Sequence, residues 1–313
     1  MNDIARRDRP VSLQLVGVAS GCGGPDIGCE AGADALRKMH LSARLRARGM
    51  RARWTPVIRA PAIDGADSLE AVRRVCLRLA RRVERIVAQG DLPIVVGGDH
   101  TCAIGTWKGI AHAVRARGSI GLLWIDAHMD AHTPQTTQSG MLHGMPVACL
   151  LGHGYPELTS IAEGAQLHPS CVALYGVRSF EEGEAALLAR LGVRVFFMHE
   201  IAERGVEVTL KEAMAIVEGA SAGFGITLDL DAVDPTDAPG VGTPAAGGVR
   251  AAALLSGLAL HGAHPDLIGI EIVEYNPFRD RLSTTAAFIA DALDAILLGQ
   301  APLAQGIQFA AGD

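Results

Sequence analysis

The chain contains 313 residues with a mass of 32.7 kDa, of which 49% are hydrophobic and 20% are charged. This composition excludes a largely disordered, collagen-like or coiled-coil protein. The net charge of −6, a polar N-terminus without a signal-peptide pattern and the absence of any apolar run of roughly 18 residues predict a cytoplasmic protein that binds neither nucleic acid nor membranes.

Short apolar runs alternate with longer helical patterns along the chain, which is typical of βαβ units and a mostly parallel sheet. The predicted strands are, in chain order, residues 11–18, 93–96, 120–125, 171–175, 193–197, 224–228 and 267–272. Their continuous apolar character predicts strands that are covered on both faces. Because no repeat or Pro/Ser-rich linker interrupts the pattern, we expect residues 1–313 to form a single domain of the α/β class.

Three further features predict structure rather than chemistry. The glycine-rich turn at residues 21–28 has neither a Gly-x-Gly-x-x-Gly pattern nor a Gly-Lys-Ser/Thr ending, so a nucleotide loop is not expected there. The helix predicted after Asp67 has an apolar stripe and an arginine face that should contact solvent or another subunit. The six cysteines form no Cys-x-x-Cys pair, which favours buried free thiols over a disulfide framework.

Histidines and aspartates cluster directly after three of the predicted strands. The clusters are residues 97–100, 126–130 and 229–231. Ligand crevices of parallel sheets lie at the carboxyl ends of the strands, so the three clusters are predicted to converge on one site. Residues two apart in an extended segment point to the same side. The side chains predicted to share a side are Asp126, His128 and Asp130, and Asp229 with Asp231.

Carboxylates that converge in this way repel one another unless cations balance their charge. Two divalent ions would balance four aspartates, while His100 and His128 would add neutral nitrogen ligands. Oxygen and imidazole ligands suit a hard or borderline ion such as Mn²⁺, so we expect Cys102 to belong to the core rather than to a metal site. Such a centre lowers the pKa of a bridging water from about 15.7 towards 7 and generates a nucleophile.

These residues resemble the arginase (ureohydrolase) family over nearly the whole chain. The matching segments, in the family's order, are residues 97–101, 126–130, 139–144, 229–235, 238–244 and 272–277. The resemblance implies an arginase-like fold with three αβα layers around a central, mostly parallel sheet. It also implies two Mn²⁺ ions per subunit, with Ni²⁺ or Co²⁺ as alternatives, and a homo-oligomer that is usually a trimer or a hexamer.

The resemblance assigns the ligands of each ion. One ion would be held by His100, Asp126, Asp130 and Asp229, and the other by His128, Asp126, Asp229 and Asp231. Asp126 and Asp229 would therefore bridge the ions. Asp130 would also accept a hydrogen bond from the bridging hydroxide, which would orient it.

In this family the hydroxide adds to the carbon of a guanidino substrate, and the tetrahedral intermediate collapses to urea and an amine. His143 matches the histidine that shuttles the proton, a role suited to a group that titrates near neutral pH. Glu274 is expected to pair with the guanidinium group, since a carboxylate binds a planar cation directionally. Thr243 is expected close to the same group.

The loop at residues 136–143 is similar to the arginase branch, in which hydroxyls and an amide bind the α-carboxylate; its candidates here are Thr137 and Ser139. The sequence departs from arginases at His132 and Met141, where Asn is common, and at Glu181, where Asp is common. His132 could still donate to a carboxylate, and Glu181 could still reach an ammonium. L-Arginine is therefore the leading substrate hypothesis, with another guanidino acid or agmatine as the alternative.

Two other classes of function compete with this interpretation. A dinuclear phosphoesterase would need further histidine ligands late in the chain, whereas His261 and His264 are predicted in a helix end and a turn. A catalytically silent metal-binding subunit would be expected to have lost a ligand or the acid. All six ligands, His143 and Glu274 are present, which favours an enzyme.

Overall fold

The computed structural model describes residues 11–61, 68–165 and 167–300. Within these residues, nine parallel strands form the central sheet. The strands are β1 (Ser12–Ala19), β2 (Arg51–Trp54), β3 (Ile58–Arg59), β4 (Leu92–Val96), β5 (Gly121–Ile125), β6 (Val172–Val177), β7 (Arg194–Phe197), β8 (Phe224–Asp229) and β9 (Leu267–Val273). The seven predicted strands are thus confirmed with small shifts at their ends, whereas β2 and β3 were not predicted.

The strand order places the ends of four strands side by side at the centre of the sheet. The order is β2-β1-β4-β9-β8-β5-β6-β7, and β3 pairs with the end of β1. β4 and β5 follow each other in the chain but are separated in the sheet by β9 and β8. This change of winding direction opens a crevice at the carboxyl ends of the central strands, which is where open parallel sheets bind ligands.

Helices cover both faces of the sheet. They are α1 (Gly32–Lys38), α2 (Leu41–Ala47), α3 (Ser68–Ala88), α4 (Cys102–Val114), α5 (Pro146–Leu150), α6 (Pro156–Thr159), α7 (Glu182–Leu191), α8 (Met198–Arg204), α9 (Val206–Glu218), α10 (Ala251–Leu260) and α11 (Thr284–Leu298). In the described residues, no helix is both long and apolar enough to cross a membrane.

Alternate residues of each strand point into two separate hydrophobic clusters. In β4, Ile94 and Val96 join the cluster that includes α1, α2, α9, α10 and α11, whereas Val95 joins the cluster that includes α3 and α4. Because side chains alternate along a strand, both faces of the sheet are buried. The predicted three-layer αβα architecture is therefore confirmed.

The helix predicted after Asp67 is α3, and its apolar stripe faces the core as expected. Val75, Leu79 and Val83 are fully buried or nearly so, while Val87 is only partly buried. The arginine side of this helix carries exposed residues such as Arg74 and Arg78. The six cysteines are free thiols, and Cys102 is packed in the core.

Candidate metal centre and adjoining cavity

The four central strands bring the predicted ligands to one edge of the sheet. His100 follows β4, Asp126 follows β5, Asp229 ends β8, and Glu274 follows β9. The register of the strands pairs Val96 with Ile272 and Ile125 with Leu228, so these strands end at nearly the same height. Residues that are far apart in sequence are thereby gathered in one crevice.

The first group of candidate ligands surrounds the imidazole of His100. Its Nδ1 lies 3.2 Å from Oδ2 of Asp126, 2.9 Å from Oδ2 of Asp130 and 2.9 Å from Oδ2 of Asp229. His100 is buried, and among the described residues neither ring nitrogen has a partner in hydrogen-bonding geometry. Buried polar groups normally have partners, so a nitrogen that faces three carboxylates without a hydrogen bond fits a site that takes a cation.

Trp124 of β5 contacts two of these candidate ligands. Its indole ring stacks on His100 with 4.2 Å between ring centroids and an angle of 8° between the planes. Its Nε1 donates a hydrogen bond of 2.9 Å to Oδ2 of Asp126. Contacts of this kind behind a ligand fix its orientation and support metal affinity.

A second group of candidate ligands shares Asp126 with the first. It consists of His128, Asp126 and Asp231, with Nδ1 of His128 3.2 Å from Oδ2 of Asp231 and 3.5 Å from Oδ1 of Asp126. The hydroxyl of Thr243 donates to Asp231 over 3.1 Å. Two groups that share a carboxylate are the arrangement that a binuclear centre requires.

The pKa values of these residues reflect crowded negative charge. Burial, together with repulsion from Asp231 and Asp126, raises the pKa of Asp229 well above its usual value. Burial would lower the pKa of His128, but the charge of Asp231 and the contacts with Asp126 outweigh burial and raise it to about 12. The cluster therefore favours added positive charge, which divalent ions would supply.

Two residues of the site have backbone conformations that are unusual outside glycine. Asp130 has φ 48° and Glu274 has φ 62°. The left-handed region costs a non-glycine residue on the order of 1 kcal/mol, so the surrounding contacts must hold it. The carbonyl of Asp130 accepts from the N–H of Val147 at 2.8 Å, and the N–H of Glu274 donates to the carbonyl of Gly98 at 2.9 Å. Strain of this kind is concentrated at functional sites.

His143 and Glu274 form a pair next to the first group of ligands. Nδ1 of His143 lies 3.3 Å from Oε1 of Glu274, which also accepts a hydrogen bond of 2.9 Å from the N–H of His100. Burial would lower the pKa of His143, but the hydrogen bond with Glu274 and its charge raise it to about 9. Glu274 is only 4% exposed and lies behind His143. The structure thus brings the predicted proton shuttle and the predicted guanidinium partner into contact.

A cavity of about 170 Å³ opens beside the two ligand groups. Its lining includes four of the predicted ligands, His143 and most of the predicted substrate contacts. The lining residues are His128, Asp130, His132, Ser139, Met141, His143, Gly144, Ser179, Phe180, Glu181, Glu184, Asp229, Asp231 and Thr243. Thr137 and Glu274 are not part of this lining. The hydroxyl of Thr137 instead accepts from the N–H of Gly140 at 3.0 Å, within its own loop.

The outer part of the cavity holds a third group of titratable residues. Nε2 of His132 contacts Oε2 of Glu181 and lies 3.4 Å from Oε2 of Glu184. Glu184 was not predicted, because its place in the first turn of α7 identifies only a capping residue. It caps α7 by accepting from the N–H of Glu181 at 3.0 Å, and burial raises its pKa to about 8. Glu184 follows the predicted site residue Glu181 by three positions at the start of a helix, and this spacing is the sequence signal that could have predicted Glu184 in the site.

The late histidines lie outside this site. His261 follows the last residue of α10, and both His261 and His264 face Glu218, at 4.0 and 3.6 Å respectively. They therefore do not complete the histidine set that the phosphoesterase interpretation requires.

Comparison with known proteins finds several arginases among the relatives and solved structures that are similar to this chain. The model of the arginase family matches residues 11–299. An arginase of Bacillus caldovelox is 39% identical over 74% of this chain and 77% of its own length. An arginase of Brevibacillus brevis is 36% identical over 88% of this chain and 94% of its own. The crystal structure of arginase from Bacillus subtilis has a TM-score of 0.86 at 31% identity and covers 93% of this chain and 100% of its own.

Proposed function

The chain belongs to the arginase family of hydrolases, and we propose that it hydrolyses L-arginine to L-ornithine and urea at a binuclear metal centre. The observation that supports this proposal best is the pair of histidine–aspartate groups that share Asp126. They adjoin both the His143–Glu274 pair and a cavity of a size suited to a small molecule.

The proposed ligands of one ion are His100, Asp126, Asp130 and Asp229, and those of the other are His128, Asp126, Asp229 and Asp231. The imidazole of His100, which faces three carboxylates without a hydrogen bond, supports this assignment. We propose Mn²⁺ as the native ion, because the donors are oxygen and imidazole nitrogen, with Ni²⁺ or Co²⁺ as alternatives. When bound, the two ions would supply Lewis-acid activation of a water molecule.

The side chains of the chain itself would orient and protonate the reacting groups. Asp130 lines the cavity and would accept a hydrogen bond from the attacking water, which would aim it at the guanidinium carbon. Glu274 would supply the negative charge for the guanidinium group and would stabilise protonated His143, 3.3 Å away. His143 lines the same cavity and would donate its proton to the departing amine. Thr243 would lie close to the guanidinium group, since it reaches both the cavity and Asp231.

The outer end of the cavity would bind the amino acid part of the substrate. Glu181 and Glu184 offer negative charge to an α-ammonium group, while His132 and Ser139 offer donors to an α-carboxylate. L-Arginine carries both groups, whereas agmatine lacks the carboxylate. Thr137 would take part only if its loop shifted towards the cavity, because its hydroxyl is engaged with Gly140.

Three properties of the whole protein complete the proposal. We propose a homo-oligomer, a trimer or a hexamer, because the family resemblance implies one. The uninterrupted sequence pattern and the composition support a single domain with a cytoplasmic location. Light scattering should then give a mass of three or six times the 32.7 kDa of the chain.

A urea-release screen tests the function. The substrates are L-arginine, agmatine, guanidinobutyrate, guanidinopropionate and guanidine, each with Mn²⁺, Ni²⁺ or Co²⁺. We expect the highest kcat/KM for L-arginine, by about tenfold or more over agmatine, since the loss of one hydrogen bond to a charged group costs about 1.5 to 3 kcal/mol. Phosphate release from a generic phosphoester serves as the negative control.

Two outcomes would contradict different parts of the proposal. Urea release from none of these compounds would argue for a silent metal-binding subunit. Faster hydrolysis of guanidinobutyrate than of L-arginine would refute the assignment of Glu181 and Glu184 to an α-ammonium group. A Glu181→Gln variant with Glu181→Asp as its matched control would locate the preference, because only the first removes the charge.

A further inference from the structure

The loop that follows β1 contacts both members of the His143–Glu274 pair. This segment, residues 20–31, contains the glycine-rich turn and is called here the β1 loop. The carbonyl of Gly23 accepts a hydrogen bond of 3.0 Å from the N–H of His143. A Cβ on Gly24 would lie 3.5 Å from the ring of His143. The β1 loop is therefore the surface against which the proton-shuttle histidine packs.

Cys29, in the same loop, contacts the carboxylate of Glu274. Its side chain is fully buried, and its thiol donates to Oε2 of Glu274 over 3.1 Å. The other oxygen, Oε1, accepts from the N–H of His100 and faces His143. The two oxygens of one carboxylate are thus held from different directions. Rotation of the carboxylate requires the Cys29 contact to break.

The β1 loop is itself fixed against the segment that carries Glu274. Oδ1 of Asp26 accepts from the N–H of Gly28 at 2.9 Å, and its Oδ2 accepts from Nδ2 of Asn276 at 3.0 Å. Gly28 approaches Asn276 so closely that a Cβ would lie 2.4 Å from Nδ2. The position of Cys29 is therefore set by the backbone around it.

Gly242 packs closely against the Cys29–Glu274 contact from the opposite side. A Cβ on Gly242 would lie 3.3 Å from Sγ of Cys29 and 3.1 Å from Oε2 of Glu274. Burial and the charge of Glu274 both raise the pKa of the Cys29 thiol, so it stays protonated and can donate. Since a carboxylate accepts hydrogen bonds only, a thiol is suited to this position as a donor.

We propose that Cys29 is a positioning residue that holds the Glu274 carboxylate within hydrogen-bonding distance of His143. It does not touch the substrate; it acts through Glu274, while the carbonyl of Gly23 fixes the backbone of His143. This inference rests on the proposed function, since it assumes that the His143–Glu274 pair transfers a proton. The β1 loop would then set the distance between His143 and Glu274, on which the proton transfer depends.

Three variants test the proposal in the Mn²⁺-loaded protein. Cys29→Val removes the donor and adds about one methyl group of volume, an addition that the Cys76→Val control shares. Cys29→Ser keeps a donor. Cys76→Val is the matched control, because Cys76 is a buried thiol that donates to a main-chain carbonyl, that of Thr101, at 3.2 Å. We expect Cys29→Val to lower kcat by about three- to tenfold, the loss expected for one hydrogen bond. Cys29→Ser should restore kcat.

Crystal structures of the same variants supply a readout that does not depend on turnover. In Cys29→Val, Oε1 of Glu274 should leave hydrogen-bonding distance of His143, and in Cys29→Ser it should stay. An unmoved Glu274 in Cys29→Val, or an equal loss of kcat in Cys76→Val, would overturn the proposal. A wild-type protein that releases no urea would contradict the proposed function instead, and the crystal structures would still decide the role of Cys29.

Discussion

His128 and His143 both line the cavity, but their imidazoles face different partners. His128 lies among two candidate ligands, Asp126 and Asp231, whereas His143 contacts Glu274. We therefore expect His128→Ala to weaken one ion and to abolish most activity. His143→Ala should keep its metal and lose about 10²- to 10⁴-fold in kcat, the usual contribution of a proton-transfer group.

Metal content by elemental analysis, measured beside urea release, checks this division of roles. His168→Ala is a suitable control, since His168 is an exposed histidine that contacts Ser170. An equal loss of metal in His128→Ala and His143→Ala would contradict the assignment.

The pair of His143 and Glu274 also predicts a pH dependence of stability in the metal-free protein. The pKa of His143 is raised to about 9 in the folded state, above the value of about 6.5 expected for the unfolded chain. Protonated His143 therefore stabilises the fold fully below about pH 6.5, and this stabilisation is lost as the pH rises through about 9. His143→Ala should lower Tm more at about pH 6 than at about pH 10. Thermal unfolding with a chelator present measures the difference, and an equal loss at both pH values would refute it.

Trp124 is expected to control metal affinity without binding the metal. Trp124→Phe keeps the aromatic stack on His100 but removes the donor to Asp126. Loss of such a contact should weaken metal binding by about 10- to 100-fold, as titration calorimetry would measure. Trp107→Phe is the control, because Trp107 is equally buried but donates to Thr227 and Glu271. A similar loss of affinity in both variants would argue against a specific role of Trp124.

Residue types at strand ends were sufficient to predict which aspartates and histidines the structure gathers in the crevice, but not all of the cavity. Several Asp and His residues in a short segment directly after a buried strand indicate a metal site, because few other roles require this combination of residues. Glu184 and Cys29 gave no such signal: one resembles any helix-capping acid, and the other any core thiol. Their importance comes from long-range contacts, with Ala131 and Glu274 respectively, that local sequence does not encode.

Among the elements, the close approach of the segments that follow β1 and β4 depends on Gly98. A Cβ at Gly98 would lie 1.7 Å from the carbonyl oxygen of Ser20, which itself accepts from the N–H of Asp99 at 2.9 Å. Gly98→Ala should therefore lower the free energy of unfolding by about 3 kcal/mol through overpacking and should impair metal binding at His100. Urea denaturation measures the change. Gly219→Ala, at the end of α9 with φ −67°, is the control and should be nearly neutral.

The strands that could be predicted differ in kind from those that could not. β4 and β5 are buried along their whole length, so an apolar run identifies them. β2 lies at the edge of the sheet and alternates exposed Arg51 and Arg53 with buried Ala52, while β3 has only two residues. Charged residues are common on edge strands because they discourage pairing between molecules. Because they interrupt the apolar run, a search for apolar runs does not find such a strand.

For the whole molecule, metal binding should be coupled to stability. The buried carboxylates repel one another unless cations are present. A ligand present at about 100 times its Kd adds about 2.7 kcal/mol to the free energy of unfolding, so saturating Mn²⁺ should raise Tm by about 5 °C over chelated protein. Asp126→Asn removes the shared ligand and should lose most of this rise, as differential scanning calorimetry would record. A full rise in Asp126→Asn would contradict a centre built around Asp126.

The position of β9 determines when during synthesis this centre can form. β9 lies between β4 and β8. In the part of the chain that the structure describes, it is the last strand in sequence, and it alone joins the half-sheet that bears His100 to the half-sheet that bears the five other predicted ligands. When residues up to 260 have been synthesised, all six predicted ligands are present, but β9 is not. The two half-sheets are then not hydrogen-bonded to each other, and each has an unpaired strand edge. We therefore expect metal to bind late in folding, only after β9 has closed the sheet.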